Sequence, residues 1–303
     1  MLDRSGAEMR SIRGGRISMI FQEPMSSLSP LHTIGDQICE AVRLHRKVGS
    51  SEAKELASDM LGLVGFPNPK RSLKTYPFEL SGGLRQRAMI AMAMVCRPAL
   101  LVADEPTTAL DVTIQAQTLR LIKDMQAELQ MSVLLITHDL GVVANMADRM
   151  VVVYDGRVVE SGLTHDVFVN PGHLYTQSLL AAVPHFDMGP DERLRPLREI
   201  KPKVDSLLTF CGDKDTSEQG GDVPPSLALH PTMASEPVLA VRHLYKSFAV
   251  RKGNWLKTEE QEIAAVADVS LTVNRGECVG LVGERGWGEP RLSNWIMRAA
   301  AYT

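Results

Sequence analysis

The chain has 303 residues, enough for one large domain or two of ordinary size. Its hydrophobic fraction of 44% and charged fraction of 23% are typical of a globular protein, and its net charge of −3 excludes a global basic field for nucleic acid. No apolar run is long enough to span a bilayer, residues 1–16 hold no apolar signal core, and the four cysteines form no CxxC pair, which together predict a cytoplasmic protein with reduced thiols.

The first part of the chain, residues 1–183, has the pattern of an α/β unit. The apolar runs 100–103 and 133–137 have strand length and no polar interruption, which is typical of parallel strands covered on both faces. The helical spacing at 114–130 between them predicts a strand–helix–strand crossover. The other predicted elements are a strand at 17–21, helices at 34–44, 51–64 (starting at Ser51) and 88–95, a hairpin of 150–154 and 157–161 with a type I′ turn at Asp155-Gly156, and helices at 165–169 and 175–183.

The rest of the chain divides into a linker, 184–236, and a second ordered part, 237–303. The linker contains seven prolines, a Gly220-Gly221 pair and a polar, charged run at 213–218. Beyond Pro237, strands are predicted at 238–241, 248–250, 264–273 and 277–282, followed by a Gly-rich turn and a helix at 290–301.

An acidic pair, Asp104-Glu105, closes the predicted strand 100–103 and is followed by the run PTTALD. The carboxyl end of a buried parallel strand is where α/β sheets bind ligands. There Asp can hold Mg²⁺, and Glu can polarise an attacking water. Two acids at a strand end are also common as a solvated terminus, so the pair alone leaves both interpretations open. The PTTALD run favours the catalytic one.

Three further features are weak signals when each is taken alone. Residues 81–83, Ser-Gly-Gly, precede a helix and expose backbone N–H groups that suit a phosphate, although an ordinary helix cap has the same pattern. Gln22 and His138 each follow a predicted strand, where such side chains are more often surface or structural residues. Their order and spacing along the chain favour a common nucleotide site.

Taken in order, these features resemble the nucleotide-binding domain of ABC transporters over about residues 1–183. The resemblance rests on Gln22, residues 80–87 (LSGGLRQR), Asp104-Glu105, Asp111 and His138. It implies an α/β, RecA-like P-loop fold with a helical subdomain, followed after the linker by a partial second, β-rich half-domain at 237–303. It also implies that the domain binds ATP and Mg²⁺ and hydrolyses ATP.

The resemblance implies a role for each matching residue. Glu105 is the general base, and His138 and Gln22 position the reacting groups. Asp104 and Gln22 are the implied Mg²⁺ contacts. The implied contacts to nucleotide include Ser81, Gly82 and Gly83, which face the γ-phosphate of ATP held on a partner domain, together with Asp104 and Asp111.

Two other runs narrow the resemblance to one group of importers. Residues 22–30 (QEPMSSLSP) and 173–180 (HLYTQSLL) look like those of oligopeptide, dipeptide and glutathione importers, and the restart at Pro237 resembles the second ATP-binding domain of double-domain members. The implied partners are permease subunits, a second ATP-binding domain in a homo- or heterodimer and, indirectly, a periplasmic solute-binding protein, with no nucleic acid. The implied location is peripheral, at the cytoplasmic face of the bacterial inner membrane.

The phosphate loop of this family, GxxxxGK[ST], has only a degenerate candidate at 283–290 (GERGWGEP). The candidate keeps both glycines of the motif, Gly283 and Gly288, and also contains Gly286 at one of its variable positions. Glu289 replaces the phosphate-binding Lys, and Pro290 replaces the Mg²⁺-binding hydroxyl. Like charges at about 4 Å and an effective dielectric of about 20 repel by about 4 kcal/mol before screening. We therefore expect this loop to bind ATP·Mg²⁺ poorly.

Residues 237–303 contain the segments with which a domain of this family begins, and residues 1–183 lack them. This reversed order predicts a circularly permuted arrangement, in which the C-terminal segment docks on the N-terminal one and brings 279–282 near 100–103 and 133–137. The expected driving forces are the sheet edge that strand 100–103 would otherwise expose and the small core of 237–303.

Two functions follow from the sequence. The first is the energy-coupling ATPase subunit of a peptide-type ABC importer, which couples ATP hydrolysis to solute uptake. The second is a non-catalytic remnant or binding module that cannot hold ATP alone, as the degenerate loop indicates. A third class, ABC proteins of DNA repair or translation, is disfavoured by the runs 22–30 and 173–180 and by the absence of basic arms.

Overall fold

In the computed structural model, the two uninterrupted apolar runs form neighbouring parallel strands inside a six-stranded sheet. The structure describes residues 6–21, 27–107, 111–182, 237–252 and 259–283. The predicted linker 184–236 and the predicted helix 290–301 lie outside these ranges. In chain order the elements are α1 (Gly6–Ile12), β1 (Ile17–Ile20), α2 (Ile34–His45), α3 (Ser50–Leu63), α4 (Pro69–Ser72), a 3₁₀ turn (Pro77–Glu79), α5 (Gly82–Met94), β2 (Leu100–Asp104), α6 (Val112–Leu129), β3 (Ser132–Ile136), α7 (Leu140–Met146), β4 (Arg149–Tyr154), β5 (Arg157–Leu163), α8 (Thr164–Val169), α9 (Leu174–Ala181), β6 (Pro237–Lys252), β7 (Glu259–Asn274) and β8 (Cys278–Gly283).

The sheet has the strand order β1-β2-β3-β8-β4-β5. β4 and β5 form an antiparallel hairpin, and every other neighbouring pair is parallel. Two of the parallel neighbours are joined by a crossover helix, because α6 connects β2 to β3. The predicted α/β class is therefore confirmed.

Alternate residues of the central strands contribute to two separate cores. On one face, Leu101 and Leu135 pack with buried residues of the helices that surround the sheet. On the other face, Leu100 and Leu134 pack with α1 and with the β6–β7 hairpin. Because both faces are covered, every residue of β2 and β3 is buried, and the strands need no polar positions.

Residues 27–81 form a helical region on the first of these faces. The Thr33 hydroxyl accepts a hydrogen bond from the Asp36 N–H and so caps α2, which buries Ile34 and Ile38 at helical spacing. Helix α3 starts at Ser50 after a Gly49 N-cap without a side-chain bond, one residue before the predicted start. No helix in the described ranges combines the length and apolar character needed to cross a membrane.

The predicted hairpin after residue 149 is confirmed together with its turn. Its two central residues, Asp155 and Gly156, have φ values of 48° and 70°. A type I′ turn requires positive φ at both positions, and Asp-Gly is among the pairs that adopt it most readily.

Two expectations about strands are wrong. The segments 238–241 and 248–250 belong to one continuous strand, β6, because its antiparallel partner β7 pairs along the whole length. The predicted strand 100–103 has no unpaired edge for residues 237–283 to cover. β1 already pairs with it, and Ile17 lies opposite Leu100. The position that β8 fills lies instead between β3 and β4.

His173 caps the last described helix of the first part, α9, with a buried ring. Its Nδ1 accepts a hydrogen bond from the Tyr175 N–H at 3.1 Å, so the hydrogen of the neutral ring is on Nε2. Burial lowers the pKa of His173 below its ordinary 6.5, and the Glu160 carboxylate opposes this shift. The Glu160 carboxylate in turn accepts hydrogen bonds from the N–H groups of Gly172 and His173.

We expect acidification to destabilise the chain through His173. The unfolded chain takes up this proton near pH 6.5, whereas the folded chain does so only at lower pH, so the stabilisation is present above about pH 6.5 and is lost as the pH falls. His173→Asn keeps a cap acceptor but does not titrate. Its melting temperature should fall less than that of the original chain between about pH 7.5 and about pH 5.5. Circular dichroism measures this, with exposed His165→Asn as the control; equal falls for His173→Asn and the original chain would contradict the assignment.

Candidate functional site

The acidic pair lies at the carboxyl edge of the sheet, as expected for a residue pair that follows a parallel strand. Asp104 is the last residue of β2, and both Asp104 and Glu105 are buried. Glu105 has a φ of 43°, in the left-handed region that a non-glycine residue occupies at a cost of about 1–3 kcal/mol. Its N–H donates to the Ile136 carbonyl at 2.9 Å, which holds the strained residue against β3.

Glu105 is joined to His138, which follows β3. His138 Nδ1 lies 3.0 Å from Glu105 Oε1, the His138 side chain is 41% exposed and that of Glu105 is 4% exposed. An ionised carboxylate can only accept, so Nδ1 carries the hydrogen when Glu105 is charged. The contact fixes the orientation of the buried Glu105 carboxylate, and the His138 ring that makes it faces solvent. Such an arrangement suits a carboxylate that acts as a base and takes a proton from water.

Ser81 is the N-cap of α5, and Gly82 and Gly83 form its first turn. The Ser81 hydroxyl accepts a hydrogen bond from the Leu84 N–H at 3.4 Å. A Cβ added to Gly82 would have open space around it, so the backbone there can be approached closely. The first N–H groups of a helix have no partner within the helix and attract anions. This helix start therefore has the chemistry to bind an anion.

The motif 80–87 contains a structural residue that the sequence did not assign. Gln86 is buried, and its Nε2 donates to the Pro106 carbonyl at 2.6 Å. This bond fixes α5 to the loop that follows Glu105. The sequence signal that could have identified this role is a polar residue, Gln86, on the buried side of a helix rich in Ala and Met.

The helices that follow the site are also capped by acids. Asp111 caps α6 by accepting from the Ile114 N–H at 2.9 Å. Asp139 caps α7, and its other carboxylate oxygen accepts from Gln115 of α6 at 3.3 Å. This hydrogen bond connects the start of α6, which follows Glu105 in the chain, to the start of α7, which follows His138.

The structure brings some of the predicted site residues together and leaves others elsewhere. Asp104, Glu105 and His138 share the carboxyl edge, whereas Ser81 and Asp111 each cap a helix. Gly283 ends β8 and pairs in register with Val153. Gln22, Gly286, Gly288, Glu289 and Pro290 lie outside the described residues.

The donor set at the carboxyl edge suits Mg²⁺ only in part. A carboxylate such as Asp104 is the type of ligand that Mg²⁺ prefers. In the described part of the chain, no three His, Cys, Asp or Glu side chains gather into a possible metal cage. This fits a magnesium ion bound through one or two carboxylates and completed by phosphate oxygens and water, which is the usual form of such sites.

A second concave surface, the basic groove, lies among α2, α3 and α4. Its cavity volume is about 460 Å³. The groove is lined by four cations, Arg43, Lys54, Lys70 and Lys74, by Asp36, and by the smaller residues Thr33, Gly35, Cys39, Ser50, Ala53 and Leu73. The excess of positive charge favours an acidic ligand or partner segment.

The groove adjoins the segment 29–32, which includes the end of the run 22–30 that contains Gln22. Gln37 of α2 bonds this segment, because it accepts from the Ser29 N–H at 2.8 Å and donates to the carbonyls of Ser29 and His32. A partner bound in the groove would therefore contact a helix that holds this segment directly.

Comparisons with known proteins find several relatives of this chain. Residues 2–108 match the ABC transporter family. The chain is 45% identical over 297 residues to the glutathione import ATP-binding protein GsiA of Salmonella typhimurium and 44% identical to that of Escherichia coli O157:H7, each match covering 98% of this chain. The chain spans 45% of the length of these relatives.

Part of the chain is also similar to a solved structure. The dimeric structure of a post-hydrolysis state of the ATP-binding cassette MJ0796, bound to ADP and Pi, is 27% identical, with a TM-score of 0.48, and the match covers 54% of this chain and 68% of that one. Residues 2–108 of the chain therefore resemble the ABC transporter family, and nearly the whole chain is similar in sequence to the ATP-binding proteins of glutathione importers.

Proposed function

We propose that the chain is an ATP-binding, energy-coupling part of a peptide-type ABC importer, and that it acts peripherally at the cytoplasmic face of the bacterial inner membrane. The observation that carries the proposal is the Glu105–His138 contact of 3.0 Å beside Asp104, at the carboxyl edge of a parallel sheet. Support comes from the 45% identity to a glutathione import ATP-binding protein. The transported solute would be a small peptide or glutathione.

In the proposed reaction, Glu105 accepts a proton from the water that attacks the γ-phosphorus of ATP. The new P–O bond forms as the bond between the γ-phosphorus and the β,γ-bridging oxygen breaks, which releases ADP and phosphate. His138 holds the Glu105 carboxylate and presents its exposed ring edge to the γ-phosphate. A positioned base of this kind contributes about 10²–10⁴-fold to a rate.

Asp104 and Gln22 would hold Mg²⁺, which neutralises charge that develops on the phosphates. Ser81, Gly82 and Gly83 would contact the γ-phosphate of ATP bound to a second domain, and Asp111 would lie near that interface. The helix start supports this assignment, because the N–H groups of a helix's first turn favour an anion without needing a charged side chain. The second domain would belong to another copy or to a related chain.

The permease would bind in the basic groove through an acidic cytoplasmic segment. Four cations and one acid line the groove, and Gln37 ties its edge to the chain that follows Gln22. Closure of the nucleotide site could then move the bound permease segment. A solute-binding protein would act only indirectly, through the permease.

The experiment uses the full chain with its loop restored by Glu289→Lys and Pro290→Ser. We expect this variant to bind a fluorescent ATP analogue and to co-purify with a peptide permease in membrane vesicles. Lys54→Glu with Lys74→Glu should reduce permease association at least about 10-fold and leave ATP binding unchanged, since close charge pairs contribute about 1.5 kcal/mol or more. Exposed Lys123→Glu on α6 is the matched control. A loop-restored chain that neither binds ATP nor associates with a permease contradicts the proposal.

A second candidate function is that of a non-catalytic module that completes a site on an intact partner. The observation that favours it is Glu289 and Pro290 in place of the Lys and hydroxyl of the phosphate loop. Photo-crosslinking with an azido-ATP separates the two functions. Labelling of the isolated, unmodified chain rules out the second candidate, whereas labelling only in the presence of an intact ATP-binding domain supports it.

A further inference from the structure

We infer that a cationic surface at the amino edge of the sheet, where the parallel strands begin, binds the anionic headgroups of a lipid bilayer. This surface, the amino-edge patch, consists of Arg13, Arg16, Arg46, Lys47 and Arg97, which lie in three separate segments of the chain. The inference deepens the proposed peripheral location and rests on the proposed function for the kind of membrane. It adds a contact with lipid that needs no permease.

Hydrogen bonds bring the three segments of the patch together. The Arg16 carbonyl, just before β1, accepts from the N–H groups of Ala99 and Leu100 at 2.8 and 3.1 Å. The Arg46 guanidinium, at the end of α2, donates to the Cys96 carbonyl at 3.4 Å. The chain before β1, the end of α2 and the chain before β2 therefore meet at one edge of the sheet.

The turn before β1 also packs on the end of α2 through His45. A Cβ added at Gly14 would lie 2.5 Å from His45 Nε2, and one added at Gly15 would lie 3.3 Å from His45 Nδ1. Burial lowers the pKa of His45 below its ordinary 6.5, so the ring is neutral at pH 7. The positive charge of the patch at this pH therefore comes from its Arg and Lys side chains.

The segments that form the patch contain no acid. Residues 11–21, 44–51 and 95–99 include all five cations of the patch and no Asp or Glu, in a chain whose net charge is −3. Arg16, Lys47 and Arg97 are exposed. Glu40, one turn before Leu44 on α2, offsets only one of the five charges. Exposed cations concentrated in this way attract an anionic surface within a Debye length, which is about 8 Å at physiological ionic strength.

An exposed leucine beside the cations favours lipid over other acidic partners. Leu44 is 72% exposed and directly precedes His45, Arg46 and Lys47 in the chain. An apolar side chain among cations suits the boundary between headgroups and acyl chains, because the cations contact the anionic headgroups while the apolar group leaves water. The sugar–phosphate backbone of a nucleic acid offers Leu44 no comparable environment. Lipid is therefore the partner that matches both features of the patch.

The patch lies at the opposite edge of the sheet from the acidic pair. Arg16 precedes β1 and Ala99 precedes β2, whereas Asp104 is the last residue of β2. At about 3.3 Å per residue, the two ends of β2 are about 13 Å apart. Changes of charge in the patch should therefore leave the nucleotide site intact, so lipid binding can be tested separately from ATP binding.

The first test measures how much of the unmodified full chain sediments with sucrose-loaded vesicles. One set of vesicles contains only phosphatidylcholine, and the other also contains the anionic lipid phosphatidylglycerol. We expect partition to the anionic vesicles to be at least about 10-fold stronger at low ionic strength. It should disappear at about 1 M salt, where the Debye length is about 3 Å. Equal partition to both sets, or binding to neither, overturns the inference.

The second test changes the charge of the patch. Arg16→Glu with Lys47→Glu should weaken partition to the anionic vesicles at least about 10-fold, and the corresponding Gln variants should weaken it by a smaller factor. The matched control is Arg120→Glu with Lys123→Glu, which changes the net charge equally at exposed positions of α6. This control should keep partition within about 2-fold of the parent chain. Circular dichroism checks that each variant is folded. Equal losses for the patch and control variants overturn the inference.

The third test examines the choice of lipid. Leu44→Ser should weaken partition about 3- to 10-fold, because the lipid boundary then buries no apolar side chain. Val169→Ser is the control, since Val169 is 69% exposed on α8, outside the patch. Partition of Leu44→Ser equal to that of the parent overturns lipid as the partner. Tighter binding of a short duplex DNA than of the anionic vesicles does the same and identifies a nucleic acid instead.

The outcomes separate this inference from the proposed function, because the vesicles contain no permease. Selective binding to anionic vesicles by a chain that, when loop-restored, binds neither ATP nor a permease supports the lipid contact and contradicts the proposed function. Association of the loop-restored chain with ATP and a permease, without preference for anionic vesicles, overturns the inference and leaves the proposed function standing.

Discussion

Replacement of Glu105 by Gln is expected to lower ATP hydrolysis by about 10²–10⁴-fold while ATP binding is retained. The amide has nearly the same size as the carboxylate and still accepts a hydrogen bond from His138, so the 3.0 Å contact can persist. What the amide cannot do at neutral pH is accept the proton of the attacking water. The effect should therefore appear in kcat and leave the dissociation constant for ATP nearly unchanged.

The measurement is phosphate release by the loop-restored chain, with binding of a fluorescent ATP analogue followed in parallel. Glu128→Gln is the matched control, because Glu128 is exposed on α6 and takes no part in the site. A Glu105→Gln variant that hydrolyses ATP within a few-fold of its parent would falsify the assignment of Glu105 as the base. A variant that loses binding together with hydrolysis would instead show that Glu105 holds the nucleotide.

Replacement of Leu101 by Ala is expected to destabilise the fold by about 2–5 kcal/mol. Leu101 is the second residue of β2, is fully buried and packs in the core shared by the sheet and the helices. Truncation removes its transfer free energy and leaves a cavity, since strands paired on both sides cannot easily collapse into the space. The same strand presents Asp104, so local loosening should also reduce activity.

The measurement is urea unfolding followed by circular dichroism, in which the midpoint should fall without a change in slope. Leu44→Ala is the matched control, because Leu44 is 72% exposed on α2 and its truncation should change the stability by no more than about 0.5 kcal/mol. Equal losses for the two variants would contradict the assignment of β2 to the core.

The individual strands and helices could be predicted because their signals are local. The apolar runs that became β2 and β3 had no polar position, and a strand with both faces covered needs none. Asp155-Gly156 specified its turn because both residues tolerate positive φ. The start of α3 was placed one residue late, because a Gly49 cap uses its backbone and leaves no side-chain signal.

The order and spacing of residues along the sequence predict Asp104, Glu105 and His138 as candidate site residues, but they do not predict the contacts between them. The bond between Glu105 and His138 joins residues 33 positions apart. Gln86 and the basic groove were not assigned, because their roles depend on which helices face each other. The type of a side chain can be read from its own position in the sequence, whereas its hydrogen-bond partner depends on how distant segments pack.

The sequence by itself determined most of the strands and helices, the α/β class and the position of the acidic pair at the end of β2, since these follow from local periodicity and residue type. Only the tertiary structure decided the strand order, including the place of β8 between β3 and β4 rather than beside strand 100–103. The physical reason is that strand order is set by which distant surfaces bury each other and which edges stay unpaired. For β8 that choice depends on Ser132, Asp148 and the close approach of α7 to Gly280, contacts that no periodicity along the chain reveals.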